Sequence, residues 1–156
     1  LVAEDENGRL LGYTYTHTFI ARKAYDHCAE STIYLALDAR KHGLGKRFYR
    51  AIEELSLAQN IYNLYACIGE PQDEGDEYLT DNSIRFHEHL GFRRIGVFRR
   101  CGYKFGRWLD VYWMEKRLNP VEIFRNSPIS WQTFRENSQK ISDILGKMSL
   151  SESAKV

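Results

Sequence analysis

What this sequence has little of narrows it first. It carries almost no net charge: 22 basic against 21 acidic residues leave +1 over 156 residues. Nothing in that balance calls for nucleic acid or an anionic membrane surface as a partner. It has three cysteines, Cys28, Cys67 and Cys101, an odd number without C-x-x-C spacing. A disulfide framework is therefore excluded, and reduced thiols in a cytoplasm are the expectation. No apolar run reaches the ~20 residues of a membrane span, and no signal-peptide pattern is recognisable. Internal repeats and low-complexity tracts are absent as well.

What is present describes one domain. An apolar fraction of 43% is enough for a core, and 13% aromatics argues against disorder. Leu1 to Ala3 and Leu10 to Phe19 flank Asn7-Gly8 and read as a hairpin, with His17 as a sheet residue. Thr32 to Leu37 is β-branched and apolar, the pattern of a central strand covered on both faces. Leu44 to Asn60 has apolar residues at steps of three and four, hence an amphipathic helix. Leu64 to Ile68 reads as a short buried strand and Gly69 to Thr80 as an acidic loop. A short helix from Asn82 to Leu90, capped by Asp81 or Thr80 and ended by Gly91, precedes two last strands, Phe92 to Cys101 and Trp108 to Leu118. Beyond them, residues 119–156 form an extension with one helix over 131–148 and a disordered end, Ser151 to Val156.

The chemistry concentrates in Cys28 to Tyr49: a strand, a turn with two glycines, and a helix start. The first amides of a helix lack intrahelical partners, and the dipole's positive end favours an anion. Gly43 and Gly45 let a phosphate approach the backbone, while Lys41, Lys46 and Arg47 add positive charge. Glu30 stands at the strand's start as a candidate base. Spacing excludes two alternatives. A P-loop needs glycine and Ser/Thr where this chain has Arg40 and Arg47. A dinucleotide fingerprint needs a third glycine where it has Phe48. Nor is metal expected, because H-E-x-x-H would require histidine at Gly91.

Arg40-Lys-His-Gly43-Leu-Gly45 resembles the acetyl-CoA pyrophosphate loop of the GNAT acetyltransferases, Gln/Arg-x-x-Gly-x-Gly/Ala. Four flanking motifs, Ala21 to Asp26, Ala29 to Thr32, Phe86 to Phe92 and Gly102 to Trp108, follow the order of the phosphinothricin N-acetyltransferase-like subfamily. The resemblance covers residues 1–118. It implies an α/β (α+β) fold, with a mixed, mostly antiparallel central sheet flanked by helices. Against that pattern the chain starts at the second strand, so a piece of a longer protein is expected.

The resemblance also implies a cosubstrate and its contacts. Acetyl-CoA would be held by the loop Arg40, Lys41, His42, Gly43, Leu44, Gly45 and Lys46, and by Ser83. Its pantetheine arm would bond to backbone at Ile33, Tyr34 and Leu35 in a splayed strand. Arg22 and Tyr25 fall at the acceptor mouth, and His87 falls in the active site as a second base or as a group that orients Glu30 or the water. Thr80 stands where the family often has a CoA-contacting asparagine, and Leu109 where some relatives have histidine, so those two contacts are not expected.

The implied activity is acetyl transfer to the primary amine of a small molecule, an amino acid or analogue such as phosphinothricin or methionine sulfone. The implied state is a cytoplasmic homodimer, with no nucleic acid, membrane or metal. A tyrosine is expected to supply the general acid, but ten tyrosines leave its identity open. Two alternatives stay open: a protein or peptide N-acetyltransferase, and a non-catalytic CoA-binding module.

Overall fold

The structure, a computed structural model, describes residues 1–70, 76, 81–104, 106–118, 126–136 and 138–150, without the side chains of 138 and 147–150. Most of the acidic loop (71–75 and 77–80, hence Thr80 as a cap) and the end 151–156 lie outside the described residues.

The first turn follows from Asn7-Gly8. Gly8 takes φ +77°, and Asp5 Oδ1 accepts from the Asn7 and Arg9 amides at 2.9 Å each. This turn joins β1 (Val2–Glu4) to β2 (Leu10–Thr18), and a 3-10 turn at Lys23–Tyr25 leads to β3 (Cys28–Leu35). Helix α1 (Leu44–Ala58) then carries the chain across to β4 (Asn63–Glu70). Helix α2 (Asn82–His89) precedes the hairpin β5 (Arg93–Lys104) and β6 (Arg107–Arg117). The six strands order β1-β2-β3-β4-β6-β5, with every pairing antiparallel except β3 with β4. The fold is the mixed α/β arrangement, mostly antiparallel, that the sequence implied.

One face of the sheet carries the core. Ala29, Leu64, Ala66, Ile68 and Met114 pack against Tyr49 and Ile52 of α1, Ile84 of α2, and Phe92. Strand alternation sends the intervening residues to the other side. That explains one departure: β3 was expected to be covered on both faces, yet Tyr34 is 57% exposed. The described helices pack against the Ala29 and Leu64 side, and the Tyr34 side is lined by aromatics instead.

Other departures are local. Asp81 does not cap α2; its carboxylate pairs with Arg85 at 2.6 Å. The segment read as one helix is built as α3 (Trp131–Arg135) and α4 (Ser138–Leu150), with Ser130 Oγ accepting from the Thr133 amide at 3.2 Å to cap α3. Phe134 and Ile144 join Leu55 of α1 in a second buried cluster. Among the described residues, no helix is long and apolar enough to cross a membrane.

Candidate active site

The central feature is an interrupted ladder. β3 and β4 pair only at Cys28 with Asn63, Ala29 with Leu64, and Glu30 with Tyr65. Past that point Ser31 to Leu35 keep partners on β2, while Ala66 to Glu70 keep partners on β6. Among the described residues, the two runs have no pairing with each other. Two strands that part while staying in one sheet leave a wedge lined by backbone amides and carbonyls. Ile33, Tyr34 and Leu35, the residues assigned to the pantetheine arm, lie on one lip.

Helix α1 starts at the open end of this wedge. A Cβ on Gly45 would lie 2.8 Å from the Phe86 ring and 3.4 Å from Leu35 Cδ1, so the first turn is wedged between the end of β3 and α2. Gly43 stands before the helix at φ +80° with nothing within 4 Å of an added Cβ, and Lys41 is left-handed at φ 66°. No side chain caps the helix, so the amides of its first turn are left for another acceptor. Arg40, Lys41, His42 and Lys46 are exposed around it, and Leu44 is half-buried. The two glycines therefore differ in their surroundings. An added Cβ meets nothing at Gly43, whereas at Gly45 it meets the Phe86 ring, so packing by itself already calls for glycine there.

At the closed end, successive residues of β3 point to opposite faces. Ser31 faces the core: its Oγ donates to the Tyr65 carbonyl at 3.0 Å and stands 3.2 Å from Tyr49 Oη. Tyr49, 0% exposed, also lies 2.6 Å from His87 Nε2. His87 Nδ1 lies 2.7 Å from the Ser83 carbonyl, which can only accept. Hydrogen-bond logic therefore assigns the ring proton to Nδ1, so Tyr49 donates to Nε2. Burial lowers the His87 pKa, partly offset by the Ser83 bond, and burial pushes the Tyr49 phenol up. The result is a neutral imidazole and a protonated phenol, linking α2, α1 and β3.

Glu30 faces the other side, with a half-buried side chain. His17, its register partner on β2, places Nε2 3.7 Å from Glu30 Oε1. Around the pair, Phe19 stacks on Tyr65 at 4.0 Å and meets Trp113 edge-on at 5.6 Å. Phe98 lies 6.2 Å from Trp113. Cys67 shares this face; burial, then the charges of Glu30 and Cys101, push its thiol up to about 11. The arrangement can hold an apolar-bodied molecule beside one carboxylate, within reach of the wedge.

The structure thus brings Glu30, the wedge lip and the loop into one region, but it does not bring His87 to Glu30. They lie on opposite sides of the sheet, and both His87 nitrogens are engaged, so His87 does not orient Glu30 directly. Ser83 is exposed at the start of α2. Arg22 and Tyr25 are exposed in the turn between β2 and β3, at the same end of the sheet as Glu30. Tyr49, beside His87, was not among the expected site residues, and His17, beside Glu30, was expected as a sheet residue only. Tyr49 had a signal, since it lies one step from Phe48 on the buried stripe of α1; His17 had none beyond its register. Among the described residues, no cluster of His, Cys, Asp and Glu is placed to hold a metal ion.

Comparison with known proteins gives concordant matches. Residues 1–113 match the family described as Acetyltransferase (GNAT) domain. A phosphinothricin N-acetyltransferase of Streptomyces coelicolor is 35% identical over 118 residues, which is 75% of this chain and 64% of that protein. An L-methionine sulfoximine/L-methionine sulfone acetyltransferase of Pseudomonas paraeruginosa is 33% identical, over 78% of this chain and 66% of that one. A solved GNAT superfamily phosphinothricin acetyltransferase from Sinorhizobium meliloti, in complex with AcCoA, superposes with a TM-score of 0.66 at 30% identity. That match covers 87% of this chain and 68% of the solved chain. The chain thus spans less than two thirds of the Streptomyces relative.

Proposed function

Because this chain belongs to the GNAT acetyltransferase family, we propose that it transfers acetyl from acetyl-CoA to the primary amine of a small amino acid or analogue. The observation that carries this is the three-residue β3–β4 ladder, which ends at Glu30 and opens toward the uncapped N-terminus of α1. The loop's backbone and the cations Arg40, Lys41 and Lys46 suit a pyrophosphate, with His42, Gly43 and Leu44 in the same turn. The lip at Ile33 to Leu35 suits an amide-bearing arm laid in strand fashion. Ser83 adds a hydroxyl at the neighbouring helix start. The related proteins named above act on phosphinothricin and on methionine sulfoximine or sulfone, which supports an amino-acid-like acceptor.

An alkylamine at neutral pH is mostly ammonium and must lose a proton before it can attack the thioester carbonyl. Glu30, on the aromatic-lined face, would take that proton, a role supported by its half-buried carboxylate at the end of the β3–β4 ladder. Arg22 would pair with an acceptor carboxylate through its planar fork, and Tyr25 would wall the mouth. His87 and Tyr49 act from the opposite face: their hydrogen bond fixes α1 and α2 relative to one another, with Ser31 of β3 in contact at 3.2 Å. A backbone N–H on a lip would donate to the carbonyl oxygen and stabilise the charge developing there. The assembly proposed is a cytoplasmic homodimer, supported by three free thiols and by the family resemblance; light scattering on purified protein tests the dimer.

The test is CoA thiol release with acetyl-CoA and a panel of free amino acids, amines and short peptides. Turnover of an amino-acid analogue, lost in Glu30→Gln, is expected. Acetyl-CoA binding without turnover of any acceptor would favour a binding module, and turnover of peptides alone would favour a protein acetyltransferase.

A further inference from the structure

The reaction proposed above has a proton left over. An ammonium acceptor and acetyl-CoA give the acetamide, CoA thiol and one H⁺: the N–C bond forms, the C–S bond breaks, and the nitrogen gives up two protons. One of them ends on sulfur. The other, taken by Glu30, must leave for water before the next turnover.

We propose that His17 is the exit for that proton, a positioning residue that acts through Glu30. The inference rests on Glu30 as the base. His17 lies directly opposite Glu30 in the β2–β3 register, with Nε2 3.7 Å from Oε1. Its Nδ1 lies 3.1 Å from the Thr18 carbonyl, which can only accept, so in the neutral ring the hydrogen sits on Nδ1. Nε2 therefore turns a lone pair toward the carboxylate. Two acceptors facing each other at 3.7 Å share no hydrogen bond; a proton delivered to Glu30 creates the donor that draws them together. The proton then moves from Oε1 to Nε2, and the carboxylate is restored. The His17 side chain is 46% exposed against 20% for Glu30, so the imidazolium is the partner more open to water. Tyr15 flanks the ring at 6.0 Å between centroids and limits its swing.

Three neighbouring groups on this face are poorer acceptors. The Cys67 thiol, pushed up to about 11, and the Tyr65 phenol, raised chiefly by burial, are both protonated at neutral pH. Glu115, on β6 beside Tyr65, is held by Arg93.

The experiment measures turnover by the 156-residue chain with acetyl-CoA and L-methionine sulfone or phosphinothricin as acceptor. His17→Ala is expected to lower kcat about tenfold, a fraction of a full general-base effect, with the KM for acetyl-CoA unchanged. Added imidazole, able to occupy the vacated exposed site, should restore the rate. Placing His17→Ala in Glu30→Gln should cost nothing further, and Glu30→Gln alone should not respond to imidazole. His17→Gln keeps a polar side chain but accepts no proton, so it should lose the same tenfold. Wild-type turnover in His17→Gln, or a loss in His17→Ala that imidazole leaves untouched, would overturn the exit while a Glu30→Gln loss leaves the base standing. Wild-type turnover in Glu30→Gln, or no turnover by the unsubstituted chain, overturns the base and the exit with it.

Discussion

Glu30 and Ser31 are neighbours in sequence, yet they serve opposite faces of the sheet, and most residue-level consequences follow from that. Glu30→Gln keeps the shape but cannot accept a proton; steady-state assays should show kcat down at least about a hundredfold, the low end for a general base. The buried side behaves differently. Tyr49→Phe leaves His87 Nε2 without its donor inside the core, and chemical denaturation should show a loss of about 1–3 kcal/mol. His87 is held neutral by burial, with its pKa below the ordinary histidine value of about 6.5. The unfolded chain therefore takes up a proton that the folded chain refuses. Stability is retained above that value and falls as the pH drops through it toward the lowered folded pKa. In His87→Gln this part of the pH dependence should vanish from a plot of unfolding free energy between neutral and mildly acid pH. Glu30 was legible because a carboxylate opening an apolar strand is conspicuous. For Tyr49 only burial was legible, since periodicity marks which face of a helix is buried and does not reveal that a phenol there will find an imidazole.

At the scale of elements, the strands, α1 and α2 were readable from period and punctuation, and their ends moved by only a few residues. The short reach of the β3–β4 ladder was not readable from residue pattern, because pairing is decided between strands and β3 looks equally apolar on both sides of the break. It came only with the family resemblance. The start of α1 gives two separable expectations. Gly45→Ala drives a methyl to within 2.8 Å of the Phe86 ring, and overpacking of this kind costs about 1–3 kcal/mol, visible in thermal melts without ligand. Arg40→Ala with Lys46→Ala removes exposed cations that touch no core, so melts should be unchanged. Acetyl-CoA affinity measured by calorimetry should instead weaken and lose part of its salt dependence.

At the scale of the whole molecule, two cores share α1. The larger joins α1 and α2 to the sheet, and the smaller gathers Leu55, Phe134 and Ile144. Phe134→Ala empties the smaller one and should cost about 3–5 kcal/mol, read as a lower melting temperature. It should spare the KM for acetyl-CoA, because Phe134 lies away from the wedge. The sequence pattern anticipated a helix here but not its partner, since spacing marks an apolar stripe and is silent about what the stripe meets. The short ladder has one more consequence. It is a seam that stitches the β1-β2-β3 half of the sheet to the β4-β6-β5 half by three residue pairs. A ligand lying along it would act as a strut between the halves. Amide hydrogen exchange at residues 31–35 and 66–70 should then slow together when acetyl-CoA is added. At a hundredfold excess over Kd the chain should gain about 2.7 kcal/mol. Unchanged exchange along both lips would mean that the two halves hold together without help from the cosubstrate.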